Sequence, residues 1–288
     1  MALDWKEAER RLERAAAILN QEEPVRVRSP LSVGVDLGTA DVLLMVLDAS
    51  GQPVATFLEW AEVVRDGVVV DYMGAVDILR SMVNKARKRT GMEITHAATS
   101  FPPGTDSRLS TNILEAAWLE VTHVLDEPSC VAGLLELDKA AVVDIGGGTT
   151  GTAVVLDGRV VFSADEPTGG RHLSLVIAGH YGISFEEAEE LKRQPGAPGI
   201  LDLVRPTIGR IADIVNTHIR GHNVERIVLT GGTCCLQGLA GVLESELGLP
   251  VTLPVQPLLL TPLAIASLPL HNLGRGAYTN PGPTLERG

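Results

Sequence analysis

Basic residues are scarce. Lys and Arg number 24 against 36 Asp and Glu, so the formal net charge is −12. That balance excludes a general nucleic-acid binder, which needs a basic face to meet phosphates. Aromatic residues make up 3% of the chain, too few for a stacking platform under single strands. Cysteine is limited to Cys130, Cys234 and Cys235. Two of these are adjacent and the count is odd, so no disulfide framework is expected, and no CxxC spacing offers a metal site. No apolar run reads as membrane-spanning. The longest uncharged stretch, 247–274, carries Pro250, Pro254, Pro257, Pro262 and Pro269, which point to strand ends and turns. The opening "MALDWKEAERR" is charged at once and lacks the apolar core of a secretory signal. A cytoplasmic protein with no nucleic-acid or membrane partner is expected.

What is present suits a folded α/β protein. The chain has 288 residues, 45% of them hydrophobic, near the length at which one core gives way to two. Residues 4–20 read as an amphipathic helix and 21–30 as a linker. The helix either packs on the body of the protein or offers its apolar stripe to a partner groove. From Leu31 onward strands and helices interleave. "LSVGVDLG" reads as a strand, and "DVLLMVLDASGQPVATFLEW" as two more around Ser50-Gly51. "YMGAVDILRSMVNKARKRTG" reads as a helix with a basic end and a glycine stop. "THAATSFP" is a strand, "STNILEAAWLE" a helix opening on Ser and Thr, and "VTHVLDEP" a strand before a short helix at 129–137. "RVVFSADEPTGG" is a strand. "ISFEEAEELKRQ" is a helix with Ser184 and Glu187 as a capping box. A helix carrying Pro206, the strand "RIVLTGG" and the helix "GLAGVLESELG" follow.

The segments "VDLGTADVLLMVLDASG" (35–51) and "VDIGGGTTGTAVVLDG" (143–158) share a plan. Each runs Val, Asp, aliphatic, Gly, then a Thr, an apolar run, Leu-Asp and a glycine turn. The second half of the chain therefore reads as a structural echo of the first. Two α/β lobes, each with a glycine-tipped hairpin, imply a cleft between them. Bare glycine backbone lets consecutive N–H groups close on phosphate oxygens, and Thr39, Thr149 and Thr150 add hydroxyl donors. Asp36 and Asp144 make sense beside phosphates if they hold Mg²⁺, which bridges carboxylate to phosphate. Other nucleotide motifs do not fit. Gly146 and Gly151 have the outer spacing of a P-loop, but Thr152 stands where its Lys must be. No G-x-G-x-x-G occurs in "DIGGGTTG", and a strand follows instead of a helix.

Taken in order over 31–267, these strings resemble the actin-like ATPase superfamily of actin, heat-shock chaperones, sugar kinases and bacterial actins. "GVDLGT" and "VVDIGGGTTG" are similar to its two phosphate motifs. "LEVTHVLDEPSCVAGLLEL" and "TPLAIAS" are similar to its connecting segments, "EEAEELKR" to its ribose and adenine helix, and "RIVLTGGTCCLQGL" to its adenosine motif. Longer strings, among them "LGTADVLLMVLDASGQPVA", "HAATSFPPGTD" and "SADEPTGG", resemble the EutJ family of ethanolamine utilisation. The resemblance implies a two-lobed actin-like fold with duplicated ribonuclease-H-like cores. An N-terminal helix and linker would fill 1–30, the first lobe 31–137 and the second 138–257. A connecting helix at 262–267, within 258–288, would return to the first lobe before a Pro/Gly-rich tail.

The resemblance also implies ATP or ADP and Mg²⁺ as cofactors. Asp36 and Asp144 would hold the metal, and Glu127 would orient the attacking water, completing the catalytic set. Gly38, Thr39, Gly146, Gly147, Gly148, Thr149 and Thr150 would cradle phosphates. Gly169 and Gly170 would approach the nucleotide from the second lobe. Glu189, Lys192 and Arg193 would bind ribose and adenine, and Gly231, Gly232 and Thr233 would close on the adenosine. Without the resemblance, Glu127 also reads as a strand-end acid before proline, and Glu189, Lys192 and Arg193 as a solvated helix face. His218 and His222 read as surface histidines, since no acid joins them, and Cys234-Cys235 as part of a packed turn.

Departures from the superfamily shape the functional expectation. Only 37 residues separate Arg193 from Gly231, and little is inserted between Gly51 and Arg65. "GGRH" stands where the chaperones carry an acid. Both upper subdomains are expected to be reduced, and an open cleft excludes water poorly, so ATP hydrolysis is expected to be weak or partner-dependent. The family implies a chaperone-like factor that assists the enzymes or shell of a bacterial microcompartment, with nucleotide opening and closing the cleft. Three other roles stay open: a non-hydrolysing adaptor for assembly, a filament former, and a factor that reactivates a cobalamin-dependent ammonia-lyase. No pattern in the sequence sets the oligomeric state.

Overall fold

The computed structural model describes residues 3–65 and 68–271; the expected Pro/Gly-rich tail lies outside them. Helix α1 (Trp5–Ala17) is capped by Asp4, whose carboxylate accepts from the Glu7 N–H at 2.8 Å. The first half then runs β1 (Ser32–Leu37), β2 (Asp41–Leu47), β3 (Pro53–Trp60), a small hairpin of β4 (Val64–Arg65) and β5 (Val68–Val69), α2 (Tyr72–Thr90), β6 (His96–Phe101), α3 (Arg108–Ala116), β7 (Glu120–Asp126) and α4 (Glu127–Leu134). The second half runs β8 (Ala140–Ile145), β9 (Thr150–Leu156), β10 (Arg159–Glu166), α5 (Gly170–Tyr181), α6 (Phe185–Arg193), α7 (Ile200–Ile219), β11 (Arg226–Thr230), α8 (Leu239–Leu247), β12 (Val251–Thr252) and α9 (Pro257–His271).

The same sheet is built twice. One has the order β3-β2-β1-β6-β7, the other β10-β9-β8-β11-β12. In each, the first strand of the repeat pairs antiparallel with the next strand and parallel with the one across the crossover. Asp36 and Asp144 hold the same place, fifth in their strands. Three apolar clusters pack these sheets. One fills the outer face of the first sheet under α2 and α3, and another the outer face of the second sheet under α5, α7 and α8. The third lies between the sheets and is built from α1, α4 and α9.

Helix α1 docks in cis. Ala8, Leu12 and Ala15 are buried in the central cluster. The chain beyond α1 seals the free edge of β3. Leu19 bridges Thr56, and the Asn20 side chain donates to the Leu58 carbonyl at 3.0 Å and accepts from its N–H at 2.9 Å. An exposed strand edge is a template for unwanted pairing, and this segment removes it.

Some elements depart from expectation. Helix α4 starts at Glu127, not Ser129, because Asp126 caps it and Pro128 suits its first turn. Helix α3 starts at Arg108, ahead of Ser110. Helix α5 had no counterpart in the sequence reading; its N-cap is Gly169, which has no side chain to cap with, and the His172 ring accepts from the Gly169 N–H at 3.2 Å. Helix α9 starts at Pro257, where no N–H is needed, and absorbs Pro262 in place of a turn. Burial of Leu259, Leu260, Leu263 and Ala264 holds it together there. Among the described residues no helix is long and apolar enough to cross a membrane.

Helix α9 lies directly on β1. A methyl group on Gly34 would overlap the Ala266 backbone nitrogen and come within 2.7 Å of its Cα. The Ser32 hydroxyl donates to the Ala266 carbonyl beside it. Gly34→Ala is therefore expected to cost about 1–3 kcal/mol by forcing helix and strand apart. Gly133→Ala, in α4 with nothing within 4 Å of the new methyl, should stay within about 0.5 kcal/mol of wild type or exceed it. Urea midpoints of the two variants test the contact; equal midpoints would refute it.

Candidate functional site

Each repeat strand ends in a four-residue tip. Leu37 pairs with Val42 around residues 38–41, and Ile145 pairs with Thr150 around residues 146–149. The tips meet from opposite halves. A methyl on Gly147 would lie 2.9 Å from Ala40 Cβ, and one on Gly148 would lie 2.9 Å from the Thr39 hydroxyl. Glycine is required there because each bare backbone faces a side chain of the other tip. Helix α5 anchors the second tip: the Gly170 N–H donates to the Gly146 carbonyl at 3.0 Å, and the Arg171 N–H to the Gly147 carbonyl at 2.7 Å. The Thr233 hydroxyl adds a third bond, to the Gly146 carbonyl at 2.8 Å.

Behind the tips lies a cleft of about 270 Å³. It brings together Asp36, Glu127 and Asp144 with Gly38, Thr39, Gly146, Gly147 and Thr149. Glu189, Lys192, Arg193, Gly231, Gly232 and Thr233 also line it, with Gly231 against the Asp144 carboxyl. Gly148, Thr150, Gly169 and Gly170 do not line it. Gly148 faces Thr39. The Thr150 side chain is fully buried, and its hydroxyl donates to the Thr168 carbonyl, so it has no proton left for a phosphate. Gly169 lies against the Gly146 carbonyl, and Gly170 against the Thr233 hydroxyl. Both serve the anchor of the tip. Glu189, Lys192 and Arg193 form a bonded group, not a merely solvated face. Lys192 donates to Glu189 at 2.6 Å and to the Gly170 carbonyl at 3.0 Å, and Arg193 lies 3.3 Å from Glu189. Burial pushes the Glu189 carboxyl up, but Lys192, Ser174 and Arg193 outweigh it and hold the group below its ordinary range.

Carboxylates crowd this cleft. Burial, then Asp41 and Asp144, push Asp36 well above the ordinary range. Burial, then Asp36, Asp144 and Asp165, do the same to Glu127. Burial lifts Asp144 to about 6, opposed by a 2.7 Å hydrogen bond from the Thr261 hydroxyl on α9. Burial lifts Asp41 to about 6, with Arg193 pulling it back. Burial lifts Asp165 to about 7, opposed by a hydrogen bond from Thr149.

Sequence reasoning did not single out Asp41, Asp165, Thr261 or Trp60. Asp41 was legible in principle, since it closes the first tip where Thr149 closes the second. The other three reach the site through long-range contacts that no local pattern carries. Cys234 is buried, as a packed turn requires, but Cys235 is exposed and lines the cleft. His218 is buried against Phe162, 5.4 Å between ring centroids, and is not a surface residue.

The chain is 53% identical over 268 residues to the ethanolamine utilization protein EutJ of Escherichia coli K12, covering 93% of this chain and 96% of the relative. The crystal structure of EutJ from Carboxydothermus hydrogenoformans superposes with a TM-score of 0.86 at 43% identity, covering 91% of this chain and 99% of that one. MreB5 of Spiroplasma citri bound to ADP superposes with a TM-score of 0.66 at 18% identity, over 82% of this chain and 95% of that one, a likeness of fold. Residues 133–259 match the family described as type IV pilus assembly protein PilM. The fold is that of the actin-like ATPases.

The crowded carboxylates set a pH dependence. Unfolded Asp titrates near about 3.9, whereas Asp41 and Asp144 sit at about 6 and Asp165 at about 7 in the fold. Between those values the folded chain holds protons that the unfolded chain has released. Without ligand, the contribution of these groups is complete below about pH 4 and is lost as pH rises to about 7. Over that window wild type should lose more stability than Asp41→Asn. Urea titrations at several pH values check this, and parallel profiles for the two proteins would contradict it.

Proposed function

The chain belongs to the EutJ family of ethanolamine utilization proteins, and on that premise we propose that it binds ATP or ADP with Mg²⁺ in the cleft. The observation that carries the reading is the meeting of two equivalent tips, one from each half, around Asp36, Glu127 and Asp144. Backbone N–H groups of 38–39 and 147–149 and the hydroxyl of Thr39 would receive phosphates; the Gly146 N–H is held by the Thr149 carbonyl and the Thr149 hydroxyl by Asp165. Glu189, Lys192 and Arg193, with Gly231, Gly232 and Thr233, would take the ribose and base.

The donor set suits a hard divalent cation. Its side chains offer carboxylate oxygens, and their raised pKa values reflect burial first and, at Asp36, repulsion from Asp41 and Asp144 as well, both of which a bound cation would offset. Among the described residues no three His, Cys, Asp or Glu side chains could hold an ion by themselves. Asp36 and Asp144 would therefore hold Mg²⁺ together with phosphates and water, as this ion prefers. The metal supplies charge neutralisation at the phosphates. With the repulsion relieved, Glu127 would ionise and orient a water for attack.

We read the protein as a chaperone-like factor of ethanolamine utilisation, acting on enzymes or shell proteins of a bacterial microcompartment in the cytoplasm. Hydrolysis is weak or partner-dependent, because among the described residues α6 is the one helix between α5 and the core-packed α7, and a cleft with so small an upper region excludes water poorly. A second reading, an adaptor that does not hydrolyse nucleotide, draws on the acid excess in the cleft. Among the described residues that line it, Asp36, Asp41, Glu127, Asp144 and Glu189 are met by two cations, Lys192 and Arg193.

Calorimetric titration with ATP and with ADP, each with Mg²⁺, tests the reading. Wild type should bind both, Asp144→Ala neither. Glu127→Gln should bind ATP as wild type does and lose about a hundredfold or more of any hydrolysis rate. Absence of heat at millimolar nucleotide would overturn nucleotide binding and favour the adaptor.

A further inference from the structure

The two cations that line the cleft among the described residues, Lys192 and Arg193, are not equally available. The Lys192 side chain is 11% exposed, and its ammonium group donates to Glu189 at 2.6 Å and to the Gly170 carbonyl at 3.0 Å. The Arg193 side chain is 46% exposed and meets Glu189 through Nη2 at 3.3 Å. A guanidinium carries five N–H donors, so most of this one stays open to a ligand. Its place is set by the other half of the molecule. The Arg193 guanidinium lies on the Trp60 indole at 3.9 Å from the centroid, a closed stack. Trp60 ends β3 and pairs with Asp41 across the strands, and the next N–H, of Ala61, donates to the Ala40 carbonyl at 3.1 Å. Ala40 and Asp41 belong to the first tip. An arginine of α6, in the second half, is thus carried across the mouth to the first tip, where its charge draws the Asp41 carboxyl back against the push of burial.

The first tip has no cation of its own: residues 38–41 are Gly, Thr, Ala and Asp. The second tip, at 146–149, is Gly, Gly, Gly and Thr. Backbone N–H groups and a hydroxyl can orient phosphates, but they do not neutralise them. We propose that Arg193 is the cation that meets the phosphates of the nucleotide at the first tip, and that Trp60 positions it there by stacking. The inference rests on the nucleotide reading above and moves Arg193 from the ribose and base to the phosphate chain. A guanidinium suits that place, since its planar fork meets phosphate oxygens through paired N–H groups. The stack does not compete with this, because an indole takes the flat face of the guanidinium and leaves the N–H groups at its edge.

The test is calorimetry with Mg²⁺-ATP and with Mg²⁺-tripolyphosphate, which has phosphates and no base, on wild type and on variants of the two residues. Wild type should bind both ligands. Arg193→Ala should lose about ten- to a hundredfold in affinity for each, by the same factor. Arg193→Lys should recover part of the loss, since it keeps the charge without the fork. Trp60→Ala should weaken both ligands by up to about tenfold, and Trp60→Phe should restore most of that, since a ring is present again. A loss in Arg193→Ala confined to ATP would overturn the proposal and return the residue to the ribose and base. No loss for either ligand would overturn it too, as would wild type that binds ATP but not tripolyphosphate at millimolar concentration. Unchanged affinities in Trp60→Ala would overturn the positioning role of the indole. Failure of wild type to bind either ligand would overturn the nucleotide reading itself, and this inference with it.

Discussion

Asp36 and Asp144 come to one cleft from separate halves of the chain, and the burial of their carboxyl groups there is the constraint that the rest of the structure has to satisfy. Neither side chain can retreat. Each sits near the end of a strand paired on both sides, so the backbone beneath it is fixed. Burial removes the water that would otherwise screen them. The halves nonetheless stay together, because the forces that join them act elsewhere. Below the cleft the central apolar cluster of α1, α4 and α9 is shared by both sheets. At the tips the halves touch through glycine against side chain. At the mouth Arg171 and Arg193 reach across to Glu62 and Trp60. Within the cleft hydroxyls answer the two acids, Thr261 bonding Asp144 and Ser100 bonding Asp36. Packing surrounds a space that favours positive charge.

The repeat is close in plan and unequal in detail. The first tip carries Thr39, Ala40 and Asp41, and the second carries Gly147, Gly148 and Thr149 in the corresponding places. Two side chains on one tip face two bare backbones on the other. A run of glycines that invites a phosphate-binding explanation thus has a second cause, the approach of its own counterpart. Both causes act on the same residues, which is why the run is longer in one copy than in the other.

The parts of this architecture that were legible in the sequence are those written in local pattern. Apolar strand runs, the capping box at Ser184 and Glu187, and the glycine after α2 are each set by neighbours a few residues apart. The duplicated Asp-Gly signature placed both tips and the acids behind them. Helix α5 escaped because glycine caps it and its first N–H groups are satisfied by carbonyls of the second tip, a partner that no reading of its own residues reveals. Glu127 was read at a strand end, but the Asp126 cap makes it the first residue of a helix. Trp60, Asp165 and Thr261 were missed for one reason. Their relation to the cleft depends on how sheets and helices far apart in sequence are stacked.

Helix α9 also bears on how the chain comes to its fold. It is the last described helix, it follows the whole second half, and it lies on β1 at Gly34. The Ser32 bond to Ala266 spans 234 positions. On a ribosome β1 emerges early, but the stretch of its sheet's inner face that α9 covers stays open until the whole second half has been made. The first half therefore cannot mature by itself ahead of the second, as sequential domains do. Its completion waits on a long-range closure of the kind that slows folding. The newborn chain thus has an interval during which that apolar face is open to whatever holds nascent proteins.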